Sequence, residues 1–237
     1  MLRYLVFAAL ALVCLPSRAD DTRVVQIGTT NIKLSLPADM VDIPANDPMA
    51  KAAQNLVPTD CIPLRDCISA FALDPTKPDD PSQDVMSSHV YALKDAPMDI
   101  DSGIFIDFVE DAARKAMHGV LESKEDPFDY EAVQQRLDKF KEATGVNLQI
   151  DSDVYSLGMV SRSVARVSYM TAQYVNETYK GKTERIKCVS VVAYIRLQKK
   201  VVVVVTCLNK NTILQDELRL LKHTAEHYQC DLQLLNN

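Results

Sequence analysis

The 237-residue sequence carries 26 basic and 32 acidic residues, a net charge of −6, with 47% hydrophobic residues. An acidic balance argues against nucleic acid as a partner, and the apolar content is that of a folded chain rather than a disordered one. Neither a glycine-rich phosphate loop nor a Gly-x-Ser-x-Gly nucleophile elbow occurs among the 6 glycines.

The N-terminus reads Met1, a positive charge at Arg3, an apolar run from Tyr4 to Leu15, Pro16 and then Ser17-Arg18-Ala19. This order is that of a secretory signal peptide cleaved after Ala19. The 12 residues from Tyr4 to Leu15 would rise only about 18 Å as a helix, short of the roughly 30 Å hydrocarbon core, so a permanent anchor is not expected. Val13 precedes Cys14 where a lipid-attachment site has a small residue, and Cys14 is expected to leave with the signal. The mature chain, 20–237, then holds 24 basic and 32 acidic residues, a net of −8. It is read as one α/β domain with an acidic, proline-rich N-terminal part over 37–97. That stretch contains 9 of the 10 mature prolines.

In chain order, Val24 to Ile27 and Ile32 to Leu36 predict a hairpin around Gly28-Thr29-Thr30-Asn31. Asp47-Pro48 opens a short helix through Leu56, ended by Pro58. Ile68 to Leu73 and His89 to Lys94 read as strands either side of the polar loop Asp74 to Gln83. From Ile104, the stripe Phe105, Phe108, Val109, Ala112, Ala116, Met117 and Val120 predicts an amphipathic helix capped by Asp101 or Ser102. A second helix follows Asp129 with Val133, Leu137 and Phe140 on one face, and Gly145 stops it. Strands are predicted at Val146 to Ile150, Ser163 to Gln173, Lys187 to Leu197 and Val201 to Leu208, with a final helix from Thr212 to Tyr228.

The valines Val201 to Val205 cannot alternate between an inner and an outer face, so that strand must be covered on both sides. Gln198-Lys199-Lys200 is too short for a crossover, which makes the last two strands antiparallel. The expected fold is α/β, a three-layer α/β/α sandwich around a mainly antiparallel sheet.

Five cysteines remain after cleavage: Cys61, Cys67, Cys188, Cys207 and Cys230. Outside the cytoplasm they should partly pair. Cys61 with Cys67, across a short loop, and Cys188 with Cys207, on strands expected to be neighbours, are the candidate disulfides. Buried free thiols are the alternative for the second pair.

The segment Leu34-Ser35-Leu36-Pro37-Ala38-Asp39-Met40, with the C-terminal order of strand, tight turn, strand, loop and helix from Lys187 to Tyr228, resembles the DcrB-like bacterial envelope proteins. The resemblance implies the Mog1/PsbP-like fold and a periplasmic accessory or binding protein. Its sharp motif is a strand leaving a sheet through a proline turn and carries no chemistry. Lipid attachment, which the resemblance would also imply, is not matched by Val13-Cys14.

His223-Thr224-Ala225-Glu226-His227 fits the His-x-x-Glu-His pattern of inverted zinc peptidases, in which two histidines four apart share a metal and the glutamate activates its water. With Leu214, Leu218 and Leu221 taken as the buried stripe, both histidines fall on the solvated face, and only ten residues follow His227. Asp99, Asp101, Asp107 and Glu110 are spaced like part of a calcium loop, yet Gly103 stands one place early and Ile104 begins a helix. Asn176-Glu177-Thr178 fits a glycosylation acceptor, with meaning only in a eukaryotic secretory pathway.

Two functions of different kinds follow. The favoured one is an exported periplasmic or secreted accessory protein that binds an envelope protein or a small ligand through its acidic N-terminal part, without catalysis, cofactor or metal. The alternative is a metal-dependent hydrolase using His223, Glu226 and His227.

Overall fold

A computed structural model describes residues 22–37, 40–42, 61–62, 69–73, 86–93, 99–118 and 130–237. The signal-peptide segment, the helix expected over 47–56, the loop over 74–83 and Cys67 lie outside them. Strands β1 (Arg23–Ile27) and β2 (Thr30–Leu34) form the expected opening hairpin. Then come β3 (Met40–Asp42), β4 (Cys61–Ile62), β5 (Ser69–Leu73) and β6 (Met86–Leu93), helices α1 (Ser102–His118) and α2 (Tyr130–Thr144), the long strands β7 (Asn147–Ser163), β8 (Arg166–Tyr179), β9 (Lys182–Leu197) and β10 (Lys200–Lys210), and helix α3 (Gln215–Asn236).

Apart from the hairpin, the strands form an 8-stranded sheet in the order β3-β5-β6-β10-β9-β8-β7, with β4 pairing β6 beside β5. Every described pairing is antiparallel. Turns make this possible. Gln198 and Lys199 both take positive φ, 47° and 70°, and Lys180 and Gly181 take 48° and 79°. Two consecutive left-handed residues match the right-handed twist of the flanking strands, so each hairpin closes in two residues.

The valine run lies in the middle of the sheet and both of its sides are covered. Val202, Val204 and Leu208 face a cluster with Leu221, Ala225, Tyr228 and Leu232 of α3 and with Val25, Ile27, Ile32 and Leu34 of the hairpin. Val201 and Val203 face the other way, onto Phe105 and Val109 of α1, Val167 and Tyr194. Alternate residues of one strand thus serve two separate cores. The start of α1 is fastened to the β9–β10 turn: Ile100 N–H donates to the Lys199 carbonyl at 2.7 Å and Arg196 Nε to the Ile100 carbonyl at 2.7 Å. Lys200, whose side chain is 3% exposed, turns its ammonium out to Asp99 at 2.8 Å.

Three expectations need correction. Strand β7 spans 17 residues where only Val146 to Ile150 was read as strand. Its register against β8 shifts between Ile150 and Val154, Ser156 and Gly158, and Met159 and Ser161, so the pairing survives breakers through extra, unpaired residues. Helix α3 begins at Gln215 rather than Thr212, because Glu217 reaches back to the Leu214 N–H at 2.7 Å and also pairs with Lys210 at the end of β10. Leu214, taken above as part of the buried stripe, therefore precedes the helix and is 62% exposed, while Leu221 of that stripe is buried, as are Ala225 and Tyr228 further along α3.

Candidate functional site

Beyond the apolar patch under α1, the same face of the sheet turns polar. Strand β9 alternates Cys188 and Ser190 on this side with Val189 and Val191 on the α3 side, and β10 contributes Cys207 after Val201, Val203 and Val205. Strand β6 adds Ser87, directly opposite Cys207, and His89, opposite Val205. Cross-strand register therefore gathers two thiols, two hydroxyls and an imidazole from residues more than a hundred positions apart.

Within this cluster, the Ser190 hydroxyl donates to Cys207 Sγ at 3.3 Å and lies 3.7 Å from Cys188 Sγ. The neighbouring Cys207 thiol, chiefly, and the nearby Ser190 hydroxyl bring the Cys188 thiol down to about 7 against the opposing effect of burial. The neighbouring Cys188 thiol and burial push Cys207 well up. With the two thiols shifted in opposite directions, Cys188 is the one that loses its proton first. His89 stacks on Tyr91 with ring centroids 6.1 Å apart and its Nε2 sits 3.2 Å from Ser87 Oγ. Burial holds it down at about 4, so it is a neutral hydrogen-bonding ring at ordinary pH.

The disulfide expected between Cys188 and Cys207 is not formed; both are free thiols, as is Cys230. The strands are neighbours, but Cys188 is opposite Asn209 and Cys207 opposite Ser190, so the two cysteines are diagonal partners. Diagonal positions are about 7–8 Å apart along the backbone, against about 5.5–6 Å in a relaxed disulfide. Cys230 lies on α3 and accepts a hydrogen bond from Arg166 Nη1 at 3.3 Å. Of the other expected bridge, Cys61 opens β4 opposite Leu93, and Cys67 lies outside the described residues.

His223 and His227 keep together on α3, with ring centroids 4.2 Å apart, His223 exposed and His227 and Glu226 partly buried. Among the described residues no three of His, Cys, Asp and Glu converge as a metal site. The acidic residues of the calcium-like spacing are spread over different structures. Asp99 pairs with Lys200, Asp101 lies 4.0 Å from Lys199, Asp107 is inside α1, and Glu110 of α1 pairs with Arg162 at 2.6 Å. The Asp101 carbonyl accepts the N–H groups of Ile104 and Phe105 and so opens the helix. Asn176-Glu177-Thr178 lies inside β8, paired on both sides by β7 and β9.

A second surface was not visible in the sequence. The outer halves of β7, β8 and β9 extend past the core, and on the α3 side of the sheet Tyr155, Tyr174 and Arg185 form a ladder across three strands. Tyr155 meets Tyr174 edge-on at 6.5 Å, and the Arg185 guanidinium lies 4.3 Å from the Tyr174 ring centre. Strand β7 is the sheet edge, and it leaves Tyr155, Leu157 and Met159 exposed by 49%, 49% and 52%. The register sends them to different sides: Tyr155 stands opposite Ala172 on the α3 face, Leu157 falls at a register shift, and Met159 stands opposite Tyr169 on the α1 face. No described helix is long and apolar enough to cross a membrane.

No protein-family model matches the chain. No curated protein matches it in sequence. In structure it is distantly similar to a point mutant of protein Mog1, with a TM-score of 0.34 and 13% identity over 91% of this chain and 90% of that one. It is likewise similar to the Saccharomyces cerevisiae Ran-binding protein Mog1p, with a TM-score of 0.31 and 13% identity over 91% of this chain and 92% of that one.

Proposed function

We propose that this chain is an exported, non-enzymatic accessory protein of the cell envelope that binds a protein partner through the outer part of β7, β8 and β9. The observation that carries the reading is the ladder of Tyr155, Tyr174 and Arg185 across three strands, with Tyr155 49% exposed at the sheet edge. Tyrosine and arginine are enriched where proteins meet, since each supplies a large contact area with a polar handle. The export signal at 1–19, the relationship to DcrB-like proteins and the three-layer α/β/α arrangement belong to the same proposal.

The test places a photo-activatable phenylalanine analogue at position 155 in the full chain, expressed in its native source, with the same analogue at exposed Val24 as control. The expected result is one stoichiometric protein adduct at position 155, absent at position 24 and lost on Arg185→Glu. Equal adducts at the two positions, or none at 155, overturns the proposal. Sequencing the N-terminus of the purified product tests export separately, with Asp20 the expected first residue.

A further inference from the structure

We propose that Cys188 and Cys207 form a reactive dithiol that takes low-molecular-weight disulfides as its substrate class and cycles between two thiols and one intrachain disulfide. This is independent of the partner surface, which lies on the opposite face of the sheet. Three features of the cluster carry it. The Ser190 hydroxyl touches both sulfurs, at 3.3 Å from Cys207 Sγ and 3.7 Å from Cys188 Sγ. Both cysteines are half-buried rather than sealed in the core. Their diagonal register lets a bridge form only with adjustment of the two strands, which makes the bridge easy to reduce rather than permanent.

The order of attack follows from the hydrogen bonding. Cys188, the more readily deprotonated of the two, attacks as the thiolate on one sulfur of the external disulfide. The external S–S bond breaks, one thiolate leaves with the bonding pair, and a mixed disulfide forms on Cys188. Cys207 then gives its proton to the departing thiolate and its sulfur displaces the second thiolate from Cys188. The two protein thiols are oxidised by two electrons in all, and the external disulfide is reduced to two thiols. Cys230 takes no part, because it projects from α3 on the other side of the sheet, against Arg166.

The experiment titrates the reduced full mature chain with mixtures of reduced and oxidised glutathione, followed by acid quench, alkylation, trypsin and mass spectrometry. Arg196, Lys199 and Lys200 separate the two cysteines, so a Cys188–Cys207 bridge appears as two linked peptides. The expected result is a linked pair that forms stoichiometrically in oxidised glutathione and reopens in excess reduced glutathione without denaturant. The Cys207→Ser variant is expected to stop at a single glutathione adduct on Cys188. Cys188→Ser is expected to react at position 207 at least ten-fold more slowly. Absence of the linked pair, a bridge to Cys230, a bridge that reopens only on unfolding, or an adduct preferring Cys207 would each overturn the proposal.

Discussion

His89 makes the fold sensitive to mild acid, by an amount that follows from its surroundings. Burial lowers its pKa from 6.5 to about 4 in the folded chain. A base held neutral in the folded state stabilises nothing above pH 6.5, where both states are neutral. Between 6.5 and 4 the unfolded chain binds a proton that the folded chain refuses, so stability falls as pH falls. Each pH unit of that window weighs about 1.4 kcal/mol, and going from pH 7.5 to 4.5 removes about 2.5 kcal/mol through this residue alone. The assay is urea unfolding at several pH values for the wild type and for His89→Gln, which retains a hydrogen-bonding partner for Ser87 but does not titrate. The difference between the two stabilities should change by about 2.5 kcal/mol across the range. A proton-NMR titration of the wild type reads the same residue directly, helped by a total of 4 histidines. A His89 midpoint near 6.5, or parallel stability curves for the two proteins, would refute the reasoning.

Other perturbations have equally definite outcomes. Asn236→Ala removes hydrogen bonds to the Lys33 N–H and carbonyl and to the Leu232 carbonyl, each 2.8 Å, and should cost about 2 kcal/mol in urea unfolding. Lys199→Gly relieves a left-handed residue in the β9–β10 turn and should raise stability by about 0.5–1 kcal/mol, the relief being partly offset by the freer unfolded chain.

The regular parts of the fold were legible where hydrophobic pattern and length agreed. The run Val201 to Val205 required cover on both faces, and the structure supplies α1 on one side and α3 with the hairpin on the other. The short link at Gln198 and Lys199 fixed an antiparallel pair. The length of β7 was not legible, because Asp151-Ser152-Asp153 and Gly158 read as breakers; the register shifts that absorb them depend on β8, not on local sequence. The thiol cluster was half legible. Alternation along β9 put Cys188 and Ser190 on one side, but bringing Ser87 and His89 alongside Cys207 depends on a register spanning more than a hundred residues. The tyrosine and arginine ladder likewise needs three strands aligned before its members meet. A hydrophobic count sees only isolated aromatic residues in polar strands.

Asn236 also sets an order of events. Its side-chain amide binds both backbone groups of Lys33, as a neighbouring strand would, across a sequence separation of 203 residues. The β1–β2 hairpin is therefore fastened by a residue at the far end of α3. During synthesis the hairpin has no seat until α3 has been made and packed, and loop-closure entropy places that contact late in folding. A chain cut after Leu235 would keep its long sheet and lose the clasp on its opening hairpin.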